Sequence, residues 1–201
     1  KNTSRIALLA CVSTTLVAPV ALLADLHQPL RFWHFYAHPT LWSWMSIGSF
    51  ILPLYLAVVL ALAYLVWRPA IQAQRAASGL LGVYARLLSF GNWQAPAIFI
   101  PLLTLAALFI STGIMLYTGA EIAVVKGRPL WNTNWLIPMF VTTGMLGACG
   151  LVLVLNSISG IKQATTNKQM LSVLIVSCIA CGVIGATWYL DGANALSGCS
   201  A

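Results

Sequence analysis

Tyr117 and Glu121 stand four residues apart near the end of an apolar stretch, so on a helix they share one face. A phenol and a carboxylate one turn apart can hydrogen-bond a quinone carbonyl and pass on its proton. They belong to a polar run, Tyr117-Thr118-Gly119-Ala120-Glu121, that continues through Lys126-Gly127-Arg128-Pro129-Leu130-Trp131-Asn132. A second run, Asp25-Leu26-His27-Gln28-Pro29-Leu30-Arg31-Phe32, closes another apolar stretch. Together the runs hold two of the three carboxylates in the chain. If the stretches cross a membrane, acids and ring-polar groups gathered at one face indicate a site, because lipid tolerates them only where protein or water covers them. Asp25 under a protein cover needs a partner, which Arg31 or Arg128 can supply. The alternative is that Arg31–Asp25 and Arg128–Glu121 are interfacial ion pairs that only fix loop geometry.

The histidines and cysteines narrow the chemistry. His27, His34 and His38 all fall in the first polar loop or at its edge. His34 and His38 have the i,i+4 spacing that puts two imidazoles on one helical face, yet no Cys or acid nearby completes a zinc site. The other reading places them in an aromatic interfacial belt with Trp33, Phe35, Tyr36, Trp42 and Trp44. No apolar stretch has a central His to ligate a buried haem, and the Cys-x-x-Cys-His of covalent haem is absent. Cys178 and Cys181 form a C-x-x-C inside an apolar stretch without a second pair, so they read as small residues at helix contacts rather than cluster ligands. Cys199 lies beyond that stretch, and nothing in the sequence decides its state.

Composition sets the class. Hydrophobic residues make up 60% of the 201 residues, charged residues 6%, and the mean hydropathy is +0.91. A soluble domain carries roughly 25% charged residues. This chain cannot build a polar exterior of that kind and must be solvated by lipid. The net charge of +7 does not point to nucleic acid, because the basic residues sit singly in loops instead of clustering on a soluble fold. The fold expected is all-α, a single polytopic transmembrane domain over residues 1–201. Five spans are expected at about 6–24, 41–67, 96–119, 135–158 and 169–190, each near or above the length that crosses the hydrocarbon. Each is apolar on every face, so periodicity identifies no wet face. Pro19, Pro53, Pro101 and Pro138 fall within four of them.

Charge gives the orientation. Lys1, Arg5, Arg68, Arg75, Arg86, Lys162 and Lys168 share one side with no acid. On the other side, Arg31, Lys126 and Arg128 are balanced by Asp25, Glu121 and Asp191. The positive-inside rule places the first side in the cytoplasm and both polar runs outside, which is the periplasm of a bacterial inner membrane. Residues 71–90 carry Gln72, Gln74, Arg75, Tyr84 and Arg86 among apolar ones, the pattern of an amphipathic helix on the cytoplasmic interface; a plain loop is the alternative.

The run from Tyr117 through Arg128-Pro129-Leu130-Trp131-Asn132 resembles the outer-side signature of the polysulfide reductase membrane-subunit, or NrfD-like, family. The run from Asp25 to Phe32, then His34 and His38-Pro39 ahead of Trp44 and Gly48-Ser49, resembles the same family's earlier loop. The likeness covers roughly residues 6–160 and is nearest to subunits that serve tetrathionate or polysulfide reductases. It implies a membrane anchor for a periplasmic iron–sulfur subunit and a molybdopterin catalytic subunit. Such an anchor binds menaquinone or ubiquinone near the outer face and holds no haem or iron–sulfur cluster itself. Carried over, the quinone-binding tyrosine is Tyr117, the loop acid and arginine are Asp25 and Arg31, and the loop histidine is His34. The resemblance assigns Glu121 no firm counterpart, and its role rests on the spacing argument.

The resemblance further implies that a quinol docks between the first and third spans near Tyr117, its protons leaving through outward carboxylates and histidines. Docking of the iron–sulfur subunit falls to loops 25–40 and 120–134, with His27, His38, Arg128, Trp131, Asn132 and Trp135 as candidate contacts. Members of the family have eight or more spans against five here. These residues are therefore expected to be part of a longer subunit, the alternative being a site completed by another chain. A purely structural anchor and a transporter remain the competing readings. A transporter calls for internal repeats or ionisable groups at mid-membrane, and the chain shows no convincing case of either.

Overall fold

The computed structural model describes residues 2–25, 29–40, 42–76, 79–89, 91, 96–127, 130–160 and 164–198, with side chains except at 2, 3, 25, 29, 35, 81, 164 and 193–198. The elements are α1 (Asn2–Asp25), a 3-10 turn (Pro29–Arg31), α2 (His34–Ala37), α3 (Trp44–Ala73), α4 (Leu80–Leu88), α5 (Phe99–Ala123), α6 (Leu136–Ile158) and α7 (Ala164–Gly198). Among the described residues there is no strand. Five helices, α1, α3, α5, α6 and α7, are long and apolar enough to cross a membrane. Their outward faces are large and apolar, with Phe109 83% and Ile158 77% exposed. Water would penalise such a surface and hydrocarbon does not.

α1, α3, α5 and α6 close a ring, α1 touching α3 and α6 while α5 touches the same two; α7 packs along α6. Contacts at the helix ends give the directions. Asn156, near the end of α6, donates to the Asn167 side chain near the start of α7 at 3.2 Å. Trp135, at the start of α6, meets Asp191 late in α7. α6 and α7 therefore run antiparallel, as do α5 and α6, where Gly119 late in one meets Ile137 early in the other. Gly48 early in α3 meets Tyr117 late in α5, so one end of the bundle collects the described parts of the 29–43 and 124–135 connections. Several hydroxyls along the apolar helices donate to the carbonyl a turn earlier, Thr15 to Cys11 at 2.6 Å and Thr118 to Ile114 at 2.8 Å, so these need no water. Pro19 and Pro53 lie inside α1 and α3. Pro101 and Pro138 instead fall in the first turns of α5 and α6, where a missing N–H costs nothing.

The helix expected over 71–90 takes a different form. Residues 71–73 finish α3, and α4 begins only at Leu80. Gly79 separates them at φ +85°, a conformation that only glycine adopts readily and that ends helical continuity. α4 turns Gly82 and Ala85 inward, with Leu80 and Leu87 exposed. Arg68, 4% exposed near the end of α3, donates to the carbonyls of Ser89 at 3.1 Å and Gly91 at 3.2 Å and so ties the α4 segment to α3. Arg68→Ala removes these charge-assisted bonds and is expected to cost about 2 kcal/mol. Hydrogen exchange across 79–91 should rise in the variant, and unchanged exchange there would show that α4 is held by other contacts.

Candidate functional site

A cavity of about 320 Å³ lies between α1, α3 and α5, near the end of the bundle that carries the 29–43 connection. Ala18 and Leu22 come from α1; Met45, Gly48, Ser49 and Leu52 from α3; Ile114, Tyr117, Thr118 and Glu121 from α5. The walls are mostly apolar, and the two groups able to exchange a proton with a ligand are Tyr117 and Glu121. Their i,i+4 spacing on α5 turns both to the cavity, where the Glu121 carboxylate lies close enough to the Tyr117 phenol to influence it electrostatically. A pocket that is largely hydrophobic with a few convergent polar groups is the usual build of a small-molecule site.

A second cavity of about 210 Å³ shares Leu22, Gly48, Ser49 and Leu52 with the first and extends it beneath the loop that follows α1. Phe32 and Tyr36 roof it. Tyr36 donates to the Ser49 carbonyl at 3.0 Å and meets Phe50 edge-on at 5.5 Å, while the Thr40 N–H donates to Ser46 at 3.1 Å. These bonds dock the loop on the first turns of α3.

The remaining predicted site residues fall elsewhere. Asp25 ends α1, but its side chain lies outside the described set, as do His27 and Arg128. Both ion pairs left open by the sequence therefore include a group outside that set. Arg31 and His34 are exposed and do not line the cavity. His34 opens α2 with its ring 3.9 Å from that of Trp33 and 6.3 Å from that of His38, which is also exposed. Among the described residues no cluster of three or more His, Cys, Asp or Glu could hold a metal ion.

Trp131 and Asn132 are exposed in the α5–α6 connection. Trp135, a candidate docking contact, donates its ring N–H to the Asp191 carboxylate in this chain. Trp188 donates to the Leu130 carbonyl at 2.8 Å, so α7 braces the same connection twice. Sequence reasoning did not single out Met45, Gly48, Ser49 or Tyr36 as site residues. The second span contributes as many cavity residues as the third, and the signals were its Gly48-Ser49 pair among large apolar residues and the place of that pair in the family resemblance.

Residues 1–191 match the family described as polysulphide reductase, NrfD. The chain is 32% identical over 182 residues to a tetrathionate reductase subunit of Salmonella typhimurium, an alignment that covers 90% of this chain and 46% of the relative, so the chain spans about half the length of that protein. No solved structure matches. With its five apolar helices, the chain belongs to the NrfD polysulphide reductase family, as a membrane protein related to that tetrathionate reductase subunit.

Proposed function

We propose that the chain is the membrane-anchor subunit of a respiratory molybdopterin oxidoreductase, and that the cavity beside Tyr117 and Glu121 takes the headgroup of a menaquinol or ubiquinol. The observation that carries this reading is the meeting of a phenol and a carboxylate in one mostly apolar cavity at an end of the bundle. Tyr117 would donate its hydroxyl to a headgroup oxygen, and Glu121 would exchange the proton through the phenol. When bound, the quinone supplies the two-electron, two-proton chemistry, and the chain orients it and handles the protons. The electrons pass to an iron–sulfur subunit docked over Trp131, Asn132 and the exposed His34 and His38, and from there to a catalytic subunit that reduces a sulfur compound such as tetrathionate or polysulfide. Trp135 and Asp191 hold that docking surface in place.

Seven basic residues are grouped by the sequence on the opposite side without an acid. Of these, Arg5 is near the start of α1, Arg68 near the end of α3, Arg75 and Arg86 between α3 and α5, and Lys168 near the start of α7, while Lys1 and Lys162 fall outside the described residues. That asymmetry supports a cytoplasmic location for the basic end, with Tyr117 toward the periplasm of a bacterial inner membrane and α4 lying on the cytoplasmic interface. The test is to purify the native assembly in mild detergent and identify its subunits and lipid-soluble components by mass spectrometry. Expected are an iron–sulfur subunit, a molybdopterin subunit and menaquinone or ubiquinone. A chain that purifies with neither redox partner nor quinone would remove this reading in favour of a transporter or a passive anchor.

A further inference from the structure

Gly48 lies in α3 at the boundary of the two cavities and directly against Tyr117. A Cβ at this position would stand 2.4 Å from both Cζ and Oη of Tyr117 and 2.9 Å from its Cε2. The phenol end of the ring therefore rests on bare α3 backbone. Glycine inside a helix is less favourable than alanine, and Gly48 has no positive φ to require it. The tyrosine ring is the feature that demands the missing side chain. Because the atoms met are the far end of a side chain that can rotate, a methyl group at 48 displaces the hydroxyl before it separates the helices.

We propose that Gly48 is a positioning residue, whose missing side chain sets where the Tyr117 hydroxyl stands in the cavity beside Glu121. It thereby determines which ligand oxygen the phenol reaches. The ligand part of this inference rests on the quinone reading above, whereas the steric coupling of positions 48 and 117 does not. Alanine at 48 displaces the end of the ring and takes the hydroxyl from its place.

The test uses the purified assembly with fluorotyrosine in place of Tyr117, read by fluorine NMR, and binding of the quinone analogue heptyl-hydroxyquinoline N-oxide. Gly48→Ala is expected to move the fluorine resonance and to weaken the analogue about tenfold, the equivalent of one lost hydrogen bond. In a Tyr117→Leu background, where no ring is displaced, Gly48→Ala should change binding by about twofold or less, because the two substitutions act through one contact. An unmoved resonance, or an equal loss of binding in both backgrounds, overturns the proposal. A resonance that moves with Gly48→Ala but never with the analogue upholds the positioning role and removes the quinone reading instead. Should Gly48→Ala fail to fold, recovery in Gly48→Ala/Tyr117→Leu supports the same steric coupling, and failure of both overturns it.

Discussion

On the proposed quinol reading, Tyr117→Phe is expected to cut quinol-driven turnover of the assembled reductase about 10²-fold, the usual contribution of a positioned proton-transfer group. The ring stays, so the packing of α5 against Gly48 is kept and assembly should be normal. Only the hydroxyl facing Glu121 in the cavity is lost. Turnover driven by an artificial electron donor that enters through the iron–sulfur subunit should be unchanged, which separates loss of quinol chemistry from loss of assembly. Full quinol-driven activity in a normally assembled Tyr117→Phe protein would refute a quinone role for this cavity. Equal loss with both donors would instead mean that Tyr117 serves assembly.

The second large effect is structural. Gly119, between Tyr117 and Glu121 in sequence, is where α5 approaches the start of α6 most tightly: a Cβ there would lie 2.7 Å from the Ile137 Cα and 3.1 Å from the Leu136 carbonyl oxygen. Backbone cannot rotate aside as a side chain can, so Gly119→Ala must push the helices apart, at about 3 kcal/mol, the upper end of ordinary overpacking. Gly113 in the same helix has nothing within 4 Å of its Cβ position. Gly113→Ala should therefore be neutral or stabilising by up to about 1 kcal/mol. Thermal unfolding in detergent compares the pair. Equal shifts at 113 and 119 would mean that helix propensity, and not close approach, decides both. If α5 moves in Gly119→Ala, the cavity loses its shape with it.

Much of this architecture is legible in composition and spacing. Five apolar stretches with few charges dictate helices, because lipid offers backbone groups no other partner. Each stretch is long enough to cross, so successive helices must alternate in direction, and both polar runs must end at the same face. The four-residue spacing of Tyr117 and Glu121 places them side by side on any helix. The clean helix expected over 71–90 was not legible as two pieces, although Gly79 marks the break.

What the sequence determined, then, is the class of protein, the number of spans, the charge asymmetry between their ends and the local pairing on α5. Only the tertiary structure decided that α1 and α3 close a cavity over that pair, that Arg31, His34 and His38 stand outside its lining, and that Trp135 spends its N–H on Asp191, 56 residues away. The physical reason is that helices apolar on every face carry no hydrophobic periodicity to say which side packs inward. In lipid that choice falls to close approaches at small residues and to a few interhelical hydrogen bonds. Among the described residues these include Gly48 under Tyr117, Gly119 against Ile137, Cys11 with Tyr55, Asn156 with Asn167 and Trp135 with Asp191, each a match between separate segments that neither segment displays alone.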